Sequence, residues 1–490
     1  MSFMWRLLST AEGCRSGHST IDMLPDDVLL CIFDSYRRIF DFRGEYLGSA
    51  GPGIWPWHMF VHVCRRWRRI FFAFPCYLNL HLICKSKTDV QATLDIWPAL
   101  PLRIHANLYG QDADDGDEIA GALEHRDHIV GIYLQGFNRS QLKKCIALMQ
   151  EPFPVLTCLE LYADKKMMFV ITDAVLGGSA PLLQRIYLDG IRFPGLPKLL
   201  SSTHDLVCLS LGGVPMTGEG HISPDAMTTC LSVLTKLRSL TLTFLWQTSS
   251  PYSTDQRPLP STHTVLPSLV HLQLEGPHRC LEDLVGRVNA PLLKYGLLKF
   301  YDEPIFDTPQ VPQFMHRTNM LKLLGRVEVL FRRQSTFVSF RSSIGPAKLF
   351  LSFWCSRFPA QVAIMEQIYA QWPPLVSHVK SLKLGDSFLS EEGWWEVIKP
   401  AAWIGFLCPF TAVQTLRLRG IAMVHHIVHH LGRLEGERAA EVLPALCTIE
   451  LVCSELGARS ESESLRLLGP FLVARKESER PVVVNVVHES

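Results

Sequence analysis

Excess charge is what this chain most lacks. Its 48 Lys and Arg stand against 47 Asp and Glu across 490 residues, a formal net charge of +1. No global field therefore draws it to nucleic acid or to an anionic lipid surface. Long apolar runs are missing too: none approaches the roughly 18 residues a helix needs to span a bilayer, so no membrane helix is expected. The 14 cysteines include no C-x-x-C pair. Many, such as Cys158, Cys208 and Cys447, sit in apolar stretches, which argues against a clustered metal site or a disulfide framework. Reduced thiols fit the cytosol or the nucleus. Charged residues are sparse, 19% against 47% hydrophobic, which excludes a disordered chain. The length suits two to four domains of roughly 100–200 residues, or one extended repeat array.

Residues 1–20 read as a tail, without the apolar core and small-residue cleavage site of a targeting peptide. Organisation begins at Ile21. Pro25 with Asp26 and Asp27 behind it marks a helix start, since the acids complement the positive end of the helix dipole. Val28, Leu29, Ile32, Phe33 and Tyr36 then recur at helical spacing. A break over 38–56 holds Gly44, Gly48, Gly51, Gly53, Pro52 and Pro56. Trp57, Phe60, Cys64, Trp67 and Phe71 follow at alternating steps of 3 and 4 and predict a second helix, whose other faces carry Arg65, Arg66, Arg68 and Arg69. Read from periodicity alone, this is a helical hairpin that caps whatever follows.

The literal residues add more. Leu24-Pro25-x-x-Val28-Leu29-x-x-Ile32-Phe33, followed by Val63-Cys64-Arg65-Arg66-Trp67-Arg68, resembles the F-box, with 38–56 as an insertion of the kind seen in fungal members. The resemblance covers residues 21–84. It implies docking onto a Skp-type adaptor, and through it a cullin ubiquitin ligase, by Leu24, Pro25, Val28, Leu29, Ile32, Phe33 and Trp67.

From residue 129 an L-x-x-L-x-L pattern recurs. Examples are Ile129/Ile132/Leu134, Leu183/Ile186/Leu188, Leu292/Tyr295/Leu297, Leu324/Val327/Val329 and Val413/Leu416/Leu418, with a weaker Leu349/Leu351 behind Pro346. The middle residues fall 22 to 34 positions apart. The last two apolar residues of each triad share one side of a strand, and the segments between carry helical spacing. One strand and one helix cannot bury a face alone, so neighbours must stack. Gly136, Gly190, Gly213, Gly276 and Gly420 follow the strands as expected exit turns. The pattern resembles the leucine-rich repeat, although its usual Asn or Cys is replaced by Asp164, Ile191, Val214 and Pro277. The expected fold class is α/β: an all-helical module, a junction over 85–128 with a first strand at 102–108, and an irregular solenoid over 129–490. The solenoid would have parallel strands, helices on its convex side, a protruding loop at 249–263 and a closing strand at 481–487.

Chemistry-bearing motifs fail on inspection. Asp112 to Glu118 puts glycine at loop position 5 and Leu123 at position 12, unlike a calcium loop. His425 and His429 stand one helical turn apart, but no Glu follows the first His. Gly385-Asp386-Ser387 has no Asp-x-x-His after it, since Asp386 is the last aspartate. No catalytic residue, metal ligand or cofactor is expected, and the chain reads as a non-enzyme. Two functions fit: a substrate-recognition subunit of a Skp-cullin-F-box ligase, or a repeat scaffold whose hairpin caps the solenoid. Substrate binding is expected on the strand residues that point away from the core. These are Tyr187 beside Glu160 and Asp189 early in the array, and Lys348, Lys383, Arg417 and Arg419 late, so that acids gather toward one end and bases toward the other.

Overall fold

Each triad places two apolar residues on one side of a strand, against the helices that link it to its neighbours. The computed structural model describes residues 24–44, 63–73, 82–84, 90–96, 100–108, 115–164, 169–218, 220–245, 263–301, 309–318, 324–343, 345, 347–355, 357–372, 376–386, 400–434, 436–452 and 458–487. In it the triads build a sheet of sixteen strands. The first nine are β1 (Leu82–Cys84), β2 (Leu102–Asn107), β3 (Ile129–Gln135), β4 (Cys158–Tyr162), β5 (Arg185–Asp189), β6 (Cys208–Val214), β7 (Ser239–Phe244), β8 (His271–Pro277) and β9 (Tyr295–Tyr301). The remaining seven are β10 (Leu324–Arg332), β11 (Ser335–Ser342), β12 (Lys348–Trp354), β13 (Ser381–Asp386), β14 (Thr415–Arg419), β15 (Thr448–Val452) and β16 (Val483–Val487). The sheet starts one strand before the first expected at 102–108, and β16 closes it.

Register makes the core. Ile132 stands opposite Leu159, and the row continues through Ile186, Leu209, Leu240 and Leu272. Each of these is at most 1% exposed, and each buried side chain contributes about 1.5–3 kcal/mol of transfer free energy. Linking helices cover this face with one stripe each, as with Leu142, Cys145 and Ile146 of the helix Arg139–Leu148. That helix starts in a capping box: the Gln141 amide donates to Asn138 Oδ1 at 2.9 Å, and the Asn138 amide to Gln141 Oε1 at 3.0 Å. The last helix, Ala458–Glu477, is anchored by Arg475, fully buried and donating to the Leu446 carbonyl at 2.9 Å. Among the described residues no helix is long and apolar enough to cross a membrane.

Two departures from the expected stacking matter. The first is strand order, which runs β9-β12-β11-β10-β13. After β9 the chain passes through a helix, Gln310–Arg317, to β10, then turns back through β11 to β12 beside β9. Both contacts of β11 are antiparallel, while β9–β12 and β10–β13 are parallel. The repeats at 324–329 and 349–351 are thus two arms of one inverted meander, not successive turns of the solenoid. Buried Glu282 fixes the detour by accepting the Gln310 and Val311 amides at 2.6 and 3.1 Å.

The second departure is a register slip. Leu293, Gly296 and Leu298 hold the inward slots of β9, which leaves Leu292 60% exposed and turns Tyr295 and Leu297 to the other face. A shift of one residue moves every side chain across a sheet. The cause lies next door: a Cβ on Gly296 would stand 2.6 Å from Leu349 Cδ1, so Leu349 fills the slot. Of the five expected exit-turn glycines, four have positive φ. Gly276 instead lies inside β8, against Phe244.

Candidate functional site

Two surfaces stand out, at opposite ends of the chain's logic. The first is the hairpin made by α1 (Asp26–Gly44) and α2 (Arg65–Ala73). Residues 45–62, including the start of the expected second helix at Trp57, lie outside the described residues. Cys64 sits just before α2, its Sγ accepting the Trp67 amide at 3.4 Å. Leu29, Phe33, Trp67 and Ile70 form a closed cluster with Leu100, just ahead of β2. The Phe33 and Trp67 rings meet edge-on at 4.8 Å. Arg66 clamps the pair, donating to Asp26 Oδ1 at 2.5 Å and to the Leu24 carbonyl at 2.5 Å.

This geometry divides the seven residues expected to dock a partner. Leu29, Phe33 and Trp67, at 0%, 1% and 8% exposure, are the hairpin's own core and present no surface. Leu24 is half-buried against that core. Pro25, Val28 and Ile32 face outward, Val28 at 38% and Ile32 at 42%, with Val63 beside α2 at 57%. Helix periodicity puts Val28, Leu29, Ile32 and Phe33 on one apolar face of α1; packing against Trp67 buries only the Leu29–Phe33 side of it.

The second surface is the face of the sheet opposite the linking helices. Its middle row reads His105, Tyr133, Glu160, Tyr187, Ser210, Thr241 and Gln273, each opposite the next. The early half is aromatic and polar. His105 stacks on Tyr133 at 4.4 Å, and Tyr162 donates to Glu160 Oε2 at 3.3 Å. The Tyr187 hydroxyl lies 3.0 Å from Cys208 Sγ. Burial first, and then the Glu160 charge, raises the Tyr162 hydroxyl above its ordinary range. The Cys158 thiol is pushed up to about 11, chiefly by burial, with Arg185 opposing. Arg103 and Arg185 share this half, so the acids do not form a pole of their own.

Nor do the late cations form an uncompensated one. Lys383 and Arg417 are neighbours across β13 and β14, but each meets an acid: Lys383 pairs with Glu328 at 2.8 Å and Arg417 with Glu450 at 3.7 Å. Arg419 ends the same strand, exposed. Lys348 lies three strands from Lys383 in the sheet, and Tyr187 five strands from Lys348, ~24 Å at the usual strand spacing. The five residues expected to bind substrate therefore share one face but not one site.

Asp386 accepts the Met423 amide at 2.6 Å and so caps the helix Ile421–Leu431, while Ser387 lies outside the described residues. His425 stacks on His429 at 6.1 Å and His426 on His430 at 6.2 Å. Among the described residues no group of three or more His, Cys, Asp or Glu could hold a metal ion. The helix Asp115–Leu123 begins within the acidic stretch 112–118, whose first residues lie outside the described ones.

The histidines predict a pH response. Burial, then the neighbouring histidines, holds His426 at about 4, below its ordinary 6.5. His430 is held at about 4 by burial and His429. Because the folded state keeps the neutral rings, the unfolded chain binds protons first as pH falls. Stability should be level above pH 6.5, decline toward pH 4, and lose roughly 2 kcal/mol to this cluster after allowing for solvent screening. Urea midpoints measured against pH check it: His426→Leu should flatten the decline, and an unchanged slope would remove His426 from the account.

A sheet of stacked strand–helix units, apolar on one face and polar-aromatic on the other, defines a repeat solenoid of leucine-rich-repeat-like type with a long polar-aromatic face. No protein-family model matches the chain, and no curated protein matches it. Solved structures that match include the leucine-rich repeat-containing protein LegL7 from Legionella pneumophila, 12% identical with a TM-score of 0.26, over 78% of this chain and 90% of that one.

Proposed function

We propose that this chain is a substrate-recognition subunit of a Skp-cullin-F-box ubiquitin ligase: the α1–α2 hairpin docks on the adaptor, and the open sheet face holds a protein substrate. The observation that carries the reading is the outward apolar stripe Val28–Ile32, separate from the buried Phe33–Trp67 core. A hairpin that only packed inward would have little use for it. In this reading bond-making belongs to partner enzymes, and the chain contributes proximity, raising the effective concentration of substrate lysines.

Co-purification with a Skp-type adaptor tests the hairpin. Val28→Asp with Ile32→Asp leaves the internal core intact and should weaken adaptor binding by more than about a hundredfold, as loss of a central apolar contact does. Unchanged binding would sink the docking assignment. A second reading, that the hairpin caps the solenoid, has its own support: Leu100, at the entry to β2, completes the hairpin's core. Under that reading the same double variant is silent and Phe33→Ala lowers the stability of the sheet's first strands.

A further inference from the structure

The inverted meander turns three cations and two aromatic rings onto one stretch of the open face, beside Tyr295 of β9. In the sheet, Arg326 lies directly opposite Arg341, and Arg341 directly opposite Lys348. Like charges in opposed positions oppose pairing, so this row is an expense the fold bears. One carboxylate answers it: Glu328 holds Arg341 at 3.6 Å but is also taken by Lys383 at 2.8 Å. Among the described residues no acid stands within ion-pair distance of Arg326 or Lys348. Beside the row runs an aromatic ridge. Tyr295, itself opposite Lys348, meets Phe350 at 5.3 Å, and Phe350 stacks on Phe337 at 5.2 Å. All three rings are half-buried. Sequence reading finds Lys348 alone of these six, because the β9 register hides Tyr295 and the meander hides the other four.

We propose that this patch binds an extended acidic segment of a partner protein, with carboxylates on the Arg326–Arg341–Lys348 row and an aromatic or large aliphatic side chain on the Tyr295–Phe350–Phe337 ridge. It rests on reading the open face as the recognition surface. Charge selects the partner: guanidinium forks suit carboxylates, and the row spans ~10 Å across three strands, long enough for two carboxylates on alternate side chains of an extended peptide, about 7 Å apart. Glu328 disfavours a phosphate dianion here, since its carboxylate sits beside Arg341 and a second negative charge raises the repulsion.

The test is an array of peptides of about twelve residues, rich in Asp and Glu with one central Phe or Leu, probed with the full chain. Acidic members should bind, their Gln and Asn counterparts should not, and binding should fall at least about tenfold between ~50 and ~300 mM salt. Arg326→Glu with Lys348→Glu should lose about tenfold or more, and Phe350→Ser should lose preference for the central Phe. If the charge-reversed protein is poorly folded, Arg326→Gln with Lys348→Gln gives the same comparison with less strain. Wild-type binding by both double variants, or no binding by any acidic member, overturns the proposal. So does tighter binding of phosphoserine members than of their Glu counterparts. Tyr133→Ala with Tyr187→Ala, on the far part of the same face, separates the two levels. If that variant alone loses peptide, the face is a recognition surface and the meander is not its acidic subsite; if no open-face variant matters, both readings fall.

Discussion

Replacing Gly420 by alanine is expected to cost about 3 kcal/mol in urea unfolding, from two sources that act together. Gly420 has φ of +93° and ψ of 144°, a region that side-chain-bearing residues enter only with strain of about 1–3 kcal/mol. An added Cβ would also stand 2.4–2.7 Å from the Asp386 carboxylate atoms. That carboxylate cannot simply move, because it accepts the Met423 amide and caps the helix Ile421–Leu431. Asp386→Ala alone should lose about 1 kcal/mol, the usual worth of an N-cap. The double variant should cost less than the sum of the two, since removing the carboxylate relieves the clash and leaves the backbone strain. Additivity within about 0.5 kcal/mol would mean that the two residues do not meet.

Asp386 also shows what a sequence makes legible. Beside Gly385 and Ser387 it has the look of catalytic debris, yet its partner is an amide 37 positions away across a repeat boundary. The repeat itself was readable because leucines at fixed spacing set register without help from distant residues. Where two registers were equally apolar, it was not. Leu292-Leu293 and Leu297-Leu298 permit either phase of β9, and the choice falls to Leu349, three strands later in the chain, filling the space at Gly296. The meander was hidden for a related reason. Arg333 and Gln334 form its two-residue turn between β10 and β11, without the Asn-Gly or Asp-Gly pair that announces a hairpin. Its strands alternate like all the others, so only the pairing distinguishes them.

The surfaces were legible to the same degree. Alternation put Lys383 and Arg417 on the correct face, because side-chain direction is local. Their neutralisation by Glu328 and Glu450 was not visible, since it depends on which strand becomes a neighbour. In α1 the spacing gave a single apolar face, and it is the packing against Trp67 that separates the inward Leu29–Phe33 pair from the outward Val28–Ile32 pair.

The meander should therefore depend on whatever holds its turn, and that is Gln361. This side chain, fully buried in the first turn of the helix Phe358–Gln371, donates to the carbonyls of Arg332 and Cys355, each at 2.8 Å. It also accepts the Thr336 hydroxyl at 3.1 Å. One amide thus joins the end of β10, the start of β11 and the exit of β12. Gln361→Leu keeps the volume but takes this partner from the buried Cys355 carbonyl and Thr336 hydroxyl, and from the partly exposed Arg332 carbonyl, at a cost of about 3–4 kcal/mol. Thr336→Val, which removes the hydroxyl and leaves Gln361 Oε1 without that donor, should cost less, about 1–2 kcal/mol. Hydrogen exchange should locate the damage: amides of β10 to β12 should lose protection while those of β4 to β6 keep it, because stability in a solenoid is shared mainly between neighbours. The loosened strands also carry Phe337 and Phe350, so their stacking and any peptide affinity of the patch should fall with the protection. A cost below about 1 kcal/mol, or protection lost evenly along the sheet, would show that the inverted strands are held by the ladder alone.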